Sequence, residues 1–153
     1  AGAIATGCTH EVSTVSPTYL ELRHDPRLLG AYRDAITDLG HEWIGAHEAY
    51  LCAQLDAGLA EIDGVTPLRV FDDGLERVGI AGFTVDGHSP REVAEYLSSE
   101  HGIGVRDGKF CAHPLLKRLG HPAGAVRASF GAGSCAADID RLLDALIELT
   151  RSN

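Results

Sequence analysis

The chain has 153 residues, a formal charge of -9, 44% apolar and 23% charged residues, the balance of one soluble globular domain. With 22 Asp and Glu against 13 Lys and Arg, nucleic-acid and anionic-membrane surfaces are excluded as expectations. No apolar run approaches the roughly 20 residues that span a bilayer, residues 1–6 lack a basic signal-peptide segment, and a cytoplasmic protein is expected.

Residues 1–24 carry weak strand-like alternation broken by Pro17, which predicts an arm or edge strand. A helix start follows, with Asp25 as N-cap and Pro26 at the first helical position. Leu28, Leu29, Tyr32, Ile36 and Leu39 keep helical spacing until Gly40, where a left-handed residue is wanted. A second helix is predicted over residues 41–62, with Trp43, Tyr50, Leu51, Leu55 and Leu59 on its apolar stripe. Gly64 ends it. Strands are expected at residues 66–71 and 77–85, joined by Asp72-Asp73-Gly74.

Ser89-Pro90-Arg91-Glu92 reads as a capping box that opens a helix ending at Gly102. A short strand over residues 103–106, a helical stretch over 114–119 and a strand over 125–130 come next. Ser134 is the expected cap of a last helix with Ile139, Leu142, Leu143, Leu146 and Leu149 inside. The order α-α-β-β-α-β-β-α predicts an α+β fold: a small, mostly antiparallel sheet with helices packed on one face.

Cys8, Cys52, Cys111 and Cys135 form no C-x-x-C pair, so reduced thiols are expected. Cys8-x-His10 and Cys111-x-His113 do not have the usual zinc spacing, and no metal site is expected. His41 and His47, six residues apart, read as surface groups. Gly131-Ala132-Gly133-Ser134 lacks a dinucleotide or P-loop pattern and reads as a helix cap. The densest polar loop is Arg106-Asp107-Gly108-Lys109-Phe110-Cys111-Ala112-His113-Pro114. Nearby cations make Cys111 a candidate reactive thiolate, against the plain reading of a small packing residue. Arg127 interrupts an apolar strand, where it either faces solvent or binds an anion such as a carboxylate.

The motifs Val105-Arg106-Asp107-Gly108, Cys111-Ala112-His113-Pro114-Leu115 and Val126-Arg127-Ala128-Ser129-Phe130 resemble the class V aminotransferase group. Within it the resemblance is to the cysteine desulfurase/selenocysteine lyase family, pyridoxal-phosphate (PLP) enzymes of fold type I. The closing Asp138-Ile139-Asp140-Arg141-Leu142-Leu143 run fits that family's C-terminal helix, and weaker similarity reaches back to His47-Glu48 and Leu51. The resemblance implies that Cys111 is the nucleophile that takes the substrate sulfur as a persulfide. It implies substrate binding by Arg127, through the α-carboxylate, and an active-site role for Arg106.

Two departures stand out. Lys109 and Phe110 occupy places where the family often has histidines, and His24-Asp25-Pro26 stands near its Gly-Thr-Pro stretch. The family's cofactor lysine belongs to a large domain, whereas Lys109 and Lys117 lie in and after the cysteine loop. The resemblance therefore implies a C-terminal small domain over residues 25–153, with residues 1–24 as an arm or the end of a large domain. No PLP is expected on this chain alone, which should be inactive without a large PLP-binding domain or chain, because the cofactor supplies the electron sink. A homo-oligomer is the expected assembly. The alternatives are a non-catalytic or split-enzyme binding module, or another class V activity: a C–S lyase, an epimerase or an aminotransferase.

Overall fold

The computed structural model describes residues 26–70 and 77–152. Among the described residues, five helices and four strands run in the order α1 (Pro26–Leu39), α2 (His41–Ala60), β1 (Val65–Leu68), β2 (Ile80–Val85), α3 (Pro90–His101), β3 (Arg106–Gly108), α4 (His113–Arg118), β4 (Ala125–Ser129) and α5 (Ala136–Arg151). The expected arm at residues 1–24, the Asp25 cap and the 72–74 turn lie outside the described residues.

The strands form one sheet in the order β1-β2-β4-β3, and each neighbouring pair is antiparallel. Alternate strand residues, among them Val65, Phe83, Val85, Val126 and Ala128, are buried in one cluster with side chains of α2, α3 and α5. Because successive strand side chains point to opposite faces, the helices cover one face only. The α+β expectation holds.

Local signals set the helix ends. Gly40 joins α1 to α2 with φ 80°, and Gly102 closes α3 with φ 64°, the left-handed geometry that glycine adopts without a steric penalty. At the start of α3 the Glu92 N–H donates to Ser89 Oγ at 3.3 Å, and the Ser89 N–H donates to Glu92 Oε2 at 2.7 Å. The predicted capping box is complete.

Three expectations need correction. The strand expected over residues 103–106 lies at Arg106–Gly108, because the Ile103 N–H bonds back to the Leu97 carbonyl at 2.8 Å and ties Ile103 to α3. The N-cap of α5 is Cys135, not Ser134. The Gly131 N–H donates to Ser134 Oγ at 3.3 Å, closing a turn, while Asp138 Oδ2 accepts from the Cys135 N–H at 2.9 Å. Finally, Cys135 is disulfide-bonded, so the four thiols are not all reduced. Cys52 and Cys111 are free.

Candidate functional site

Val126 and Ala128 are buried beneath the helices, so Arg127 between them points to the sheet's other face. The register places Gly82 on one side of Arg127 and Arg106 on the other, and Leu68 lies across from Gly82. One row, Leu68–Gly82–Arg127–Arg106, thus crosses all four strands on the face away from the core. Arg106 is exposed and Arg127 half-buried.

Directly opposed residues of antiparallel strands lie about 4.5–5.5 Å apart at Cβ, and like charges there are destabilising. Arg127 Nε is buried and has no hydrogen-bond partner. A planar anion lying between the two guanidiniums would relieve the repulsion and satisfy that donor, since arginine binds carboxylates as a fork. Arg127 thus stands half-buried on the face away from the core, beside a second arginine.

The Cys111 loop returns to this same face. The Phe110 ring lies over the Arg127 guanidinium, 5.5 Å from carbon to ring centroid, within the range of a cation–π contact. The Ala112 N–H donates to the Lys109 carbonyl at 2.7 Å, and the two central residues both have positive φ, 51° at Phe110 and 59° at Cys111. That is the pattern of a type I′ turn, normally built from Asn and Gly. A residue with a Cβ costs about 1–2 kcal/mol in this region. The turn holds Cys111 exposed just ahead of α4.

The tertiary structure therefore brings Phe110, the neighbour of Cys111, against the guanidinium of Arg127, with Arg106 opposite. Phe110 was visible in the sequence only as a substitution in a histidine position; nothing local signalled its contact with a residue 17 positions on. His47 also differs from its reading as a surface group. It is half-buried, its ring stacks on Trp43 at 4.7 Å, and its Nε2 donates to the Ser134 carbonyl at 2.8 Å, so it holds the turn before α5 and is not a free surface group. Gln54, two turns along α2, donates to the Ala136 carbonyl at 3.2 Å and to Asp140 at 2.6 Å.

Cys52 is buried beneath the β2 approach. Its thiol donates to the Val78 carbonyl at 3.5 Å. Burial pushes its pKa up, opposed by Arg77 and reinforced by Asp56 and Glu48, as expected of a packing thiol. Among the described residues no three His, Cys, Asp or Glu side chains cluster as metal ligands, and no helix is long and apolar enough to cross a membrane.

The family model for aminotransferase class V matches residues 27–142. A probable cysteine desulfurase of Pseudomonas aeruginosa is 42% identical over 126 residues, 80% of this chain and 30% of that protein. A cysteine desulfurase of Dickeya dadantii is 37% identical over 123 residues, 80% of this chain and 28% of the relative. The chain therefore spans about 30% of the length of these two curated relatives. Among solved structures, the apo cysteine desulfurase of Thermococcus onnurineus superposes with a TM-score of 0.72 at 31% identity, over 78% of this chain and 29% of that one. The S-sulfonic acid form of the Escherichia coli cysteine desulfurase CsdA gives 0.64 at 27% identity, over 76% and 28%.

Proposed function

The chain belongs to the class V aminotransferase family, and from that premise we propose that it is the small-domain part of a cysteine desulfurase-like enzyme. In this reading residues 25–153 form the small domain, Cys111 accepts sulfur from cysteine, and Arg127, aided by Arg106, holds the substrate's α-carboxylate. The single observation that carries it is the meeting of the Cys111 turn with Arg127, an arginine whose Nε has no hydrogen-bond partner, on the sheet face away from the core.

The chemistry expected of these residues is a sulfur transfer. The carboxylate fixes the amino acid against the arginine fork, and orientation of this kind lowers the barrier to attack. The Cys111 thiolate bonds to the substrate sulfur as the substrate's C–S bond breaks. The bonding pair stays with the substrate carbon, which takes up a proton to give alanine, and Cys111 is left as a persulfide. The cysteine is oxidised and the carbon reduced, so no outside redox partner is required.

The described residues do not fit PLP. Lys109 and Lys117 are both exposed, and the groove along α3, lined by Arg91, Glu95, Ser98 and Asp107 among others, contains no lysine. The cofactor is assigned to a separate large domain or chain, and this chain alone is expected to be inactive. Mixed with pyridoxal phosphate it should form no stable one-to-one yellow complex. Trp43, 43% exposed, and Tyr50, 60% exposed, lie seven residues apart on α2 and are suited to such a partner or to a second copy. A cytoplasmic enzyme is the location this reading implies.

The test is a chimera in which this chain replaces the matched part of the Pseudomonas aeruginosa relative. With L-cysteine it should release alanine and leave one extra sulfur on Cys111 by mass spectrometry. Cys111→Ser should abolish both, and Arg127→Ala should raise KM. A chimera that binds the cofactor yet leaves Cys111 unmodified would overturn the assignment.

A further inference from the structure

Phe110 is the element that joins the two halves of the site. The Arg127 guanidinium carbon lies over its ring, 5.5 Å from the centroid, and its backbone is one of the two left-handed positions of the turn that presents Cys111. Arg127 Nε is buried and without a hydrogen-bond partner.

We infer that Phe110 is a positioning residue that couples carboxylate occupancy at Arg127 to the conformation of the Cys111 turn. The inference rests on the reading of Arg127 as a carboxylate-binding residue. The physical link is short. Phe110 and Cys111 are the two central residues of one turn closed by the Ala112–Lys109 hydrogen bond, so a contact that holds the Phe110 ring also restrains the backbone that aims Cys111. An anion that fixes the guanidinium fixes the platform under the ring, and the turn then loses its freedom to swing. Arg106, across the strand pair from Arg127, supplies a second cation to the same anion and no competing aromatic contact.

The experiment uses the chain as it is, with L-alanine as a probe that has the carboxylate and no reactive sulfur. Two quantities are followed against L-alanine concentration: the Nε–H resonance of Arg127 and the iodoacetamide labelling rate of Cys111. In the unmodified chain the resonance should shift and labelling should slow severalfold. In Phe110→Ala the resonance should still respond while labelling becomes insensitive, and Phe110→Tyr should restore the response because it keeps the ring. Phe110 lies outside the main buried cluster, and circular dichroism will verify that both variants fold. If labelling slows equally in Phe110→Ala, or if the resonance shifts in the unmodified chain with labelling unchanged, the coupling is overturned and the carboxylate site stands. If the Arg127 resonance does not respond at all, the carboxylate reading fails and the coupling with it.

Discussion

Gly79 and Phe130 meet where β2 and β4 run out: the Phe130 N–H donates to the Gly79 carbonyl at 2.8 Å, and a Cβ on Gly79 would run into the Phe130 carbonyl oxygen. Gly79 also donates its own N–H to Glu48 Oε2 at 3.3 Å, so strand, strand and α2 converge on a residue without a side chain. Backbone cannot yield there as a flexible side chain could. Gly79→Ala is expected to destabilise the fold by about 1–3 kcal/mol. Gly82→Ala is the control, since its Cβ would meet nothing nearer than Leu68 Cβ at 3.6 Å, and it should be neutral or stabilising by up to about 1 kcal/mol. Equal urea midpoints for the two variants would contradict this packing.

The capping box on α3 predicts an acid-side loss of stability. Ser89 holds the Glu92 carboxyl below its ordinary value of 4.5 through side-chain and backbone hydrogen bonds. A carboxyl depressed in the folded state stabilises it above the ordinary pKa, and that contribution fades as the pH falls below 4.5 toward the depressed value. Glu92→Gln should flatten the dependence of Tm on pH in that window. Ser89→Ala should cost about 1 kcal/mol at neutral pH.

The two free thiols should differ sharply in reactivity. Cys111 is exposed and Cys52 is buried, and burial raises the Cys52 pKa, so at neutral pH less of it is thiolate and less of that is reachable. Iodoacetamide should label Cys111 in the native chain and Cys52 only after denaturant is added. Peptide mapping that finds Cys52 modified first would show that the β2 approach opens more easily than its packing implies.

Alkaline pH should weaken the fold through Cys52. Its pKa lies above the ordinary 9.0 in the folded state, so between the two values the folded chain binds more protons than the unfolded one. Stability is then unaffected below pH 9.0 and declines as the pH rises past it toward the raised value. Cys52→Ala should remove that slope while lowering stability at all pH values through the cavity it leaves. Urea unfolding at pH 8 and pH 10, expressed as a difference between the two proteins, measures it.

Helix ends and helix faces were legible in the sequence because their causes are local. Ser89 and Glu92 cap α3 across three residues, Gly40 and Gly102 supply the left-handed turns, and α5 shows its buried face through Ile139, Leu142, Leu146 and Leu149. Cys111, Arg127 and Arg106 were found through motifs resembling a known family, and Arg127 also by the cost of a charge inside an apolar strand. Pairing lay beyond any local signal. Whether Arg127 faces Arg106 or Gly82, whether Phe110 reaches a guanidinium, and whether His47 is surface or anchor depend on the register of β2, β3 and β4 and on the seating of α2 against the turn before α5. A shift of one residue in a strand sends every side chain to the opposite face, and only burial of the whole apolar cluster selects among such registers. Sequence singled out Arg106 and Arg127; the packed sheet decided that they stand opposite each other on one face, with the Phe110 ring against Arg127.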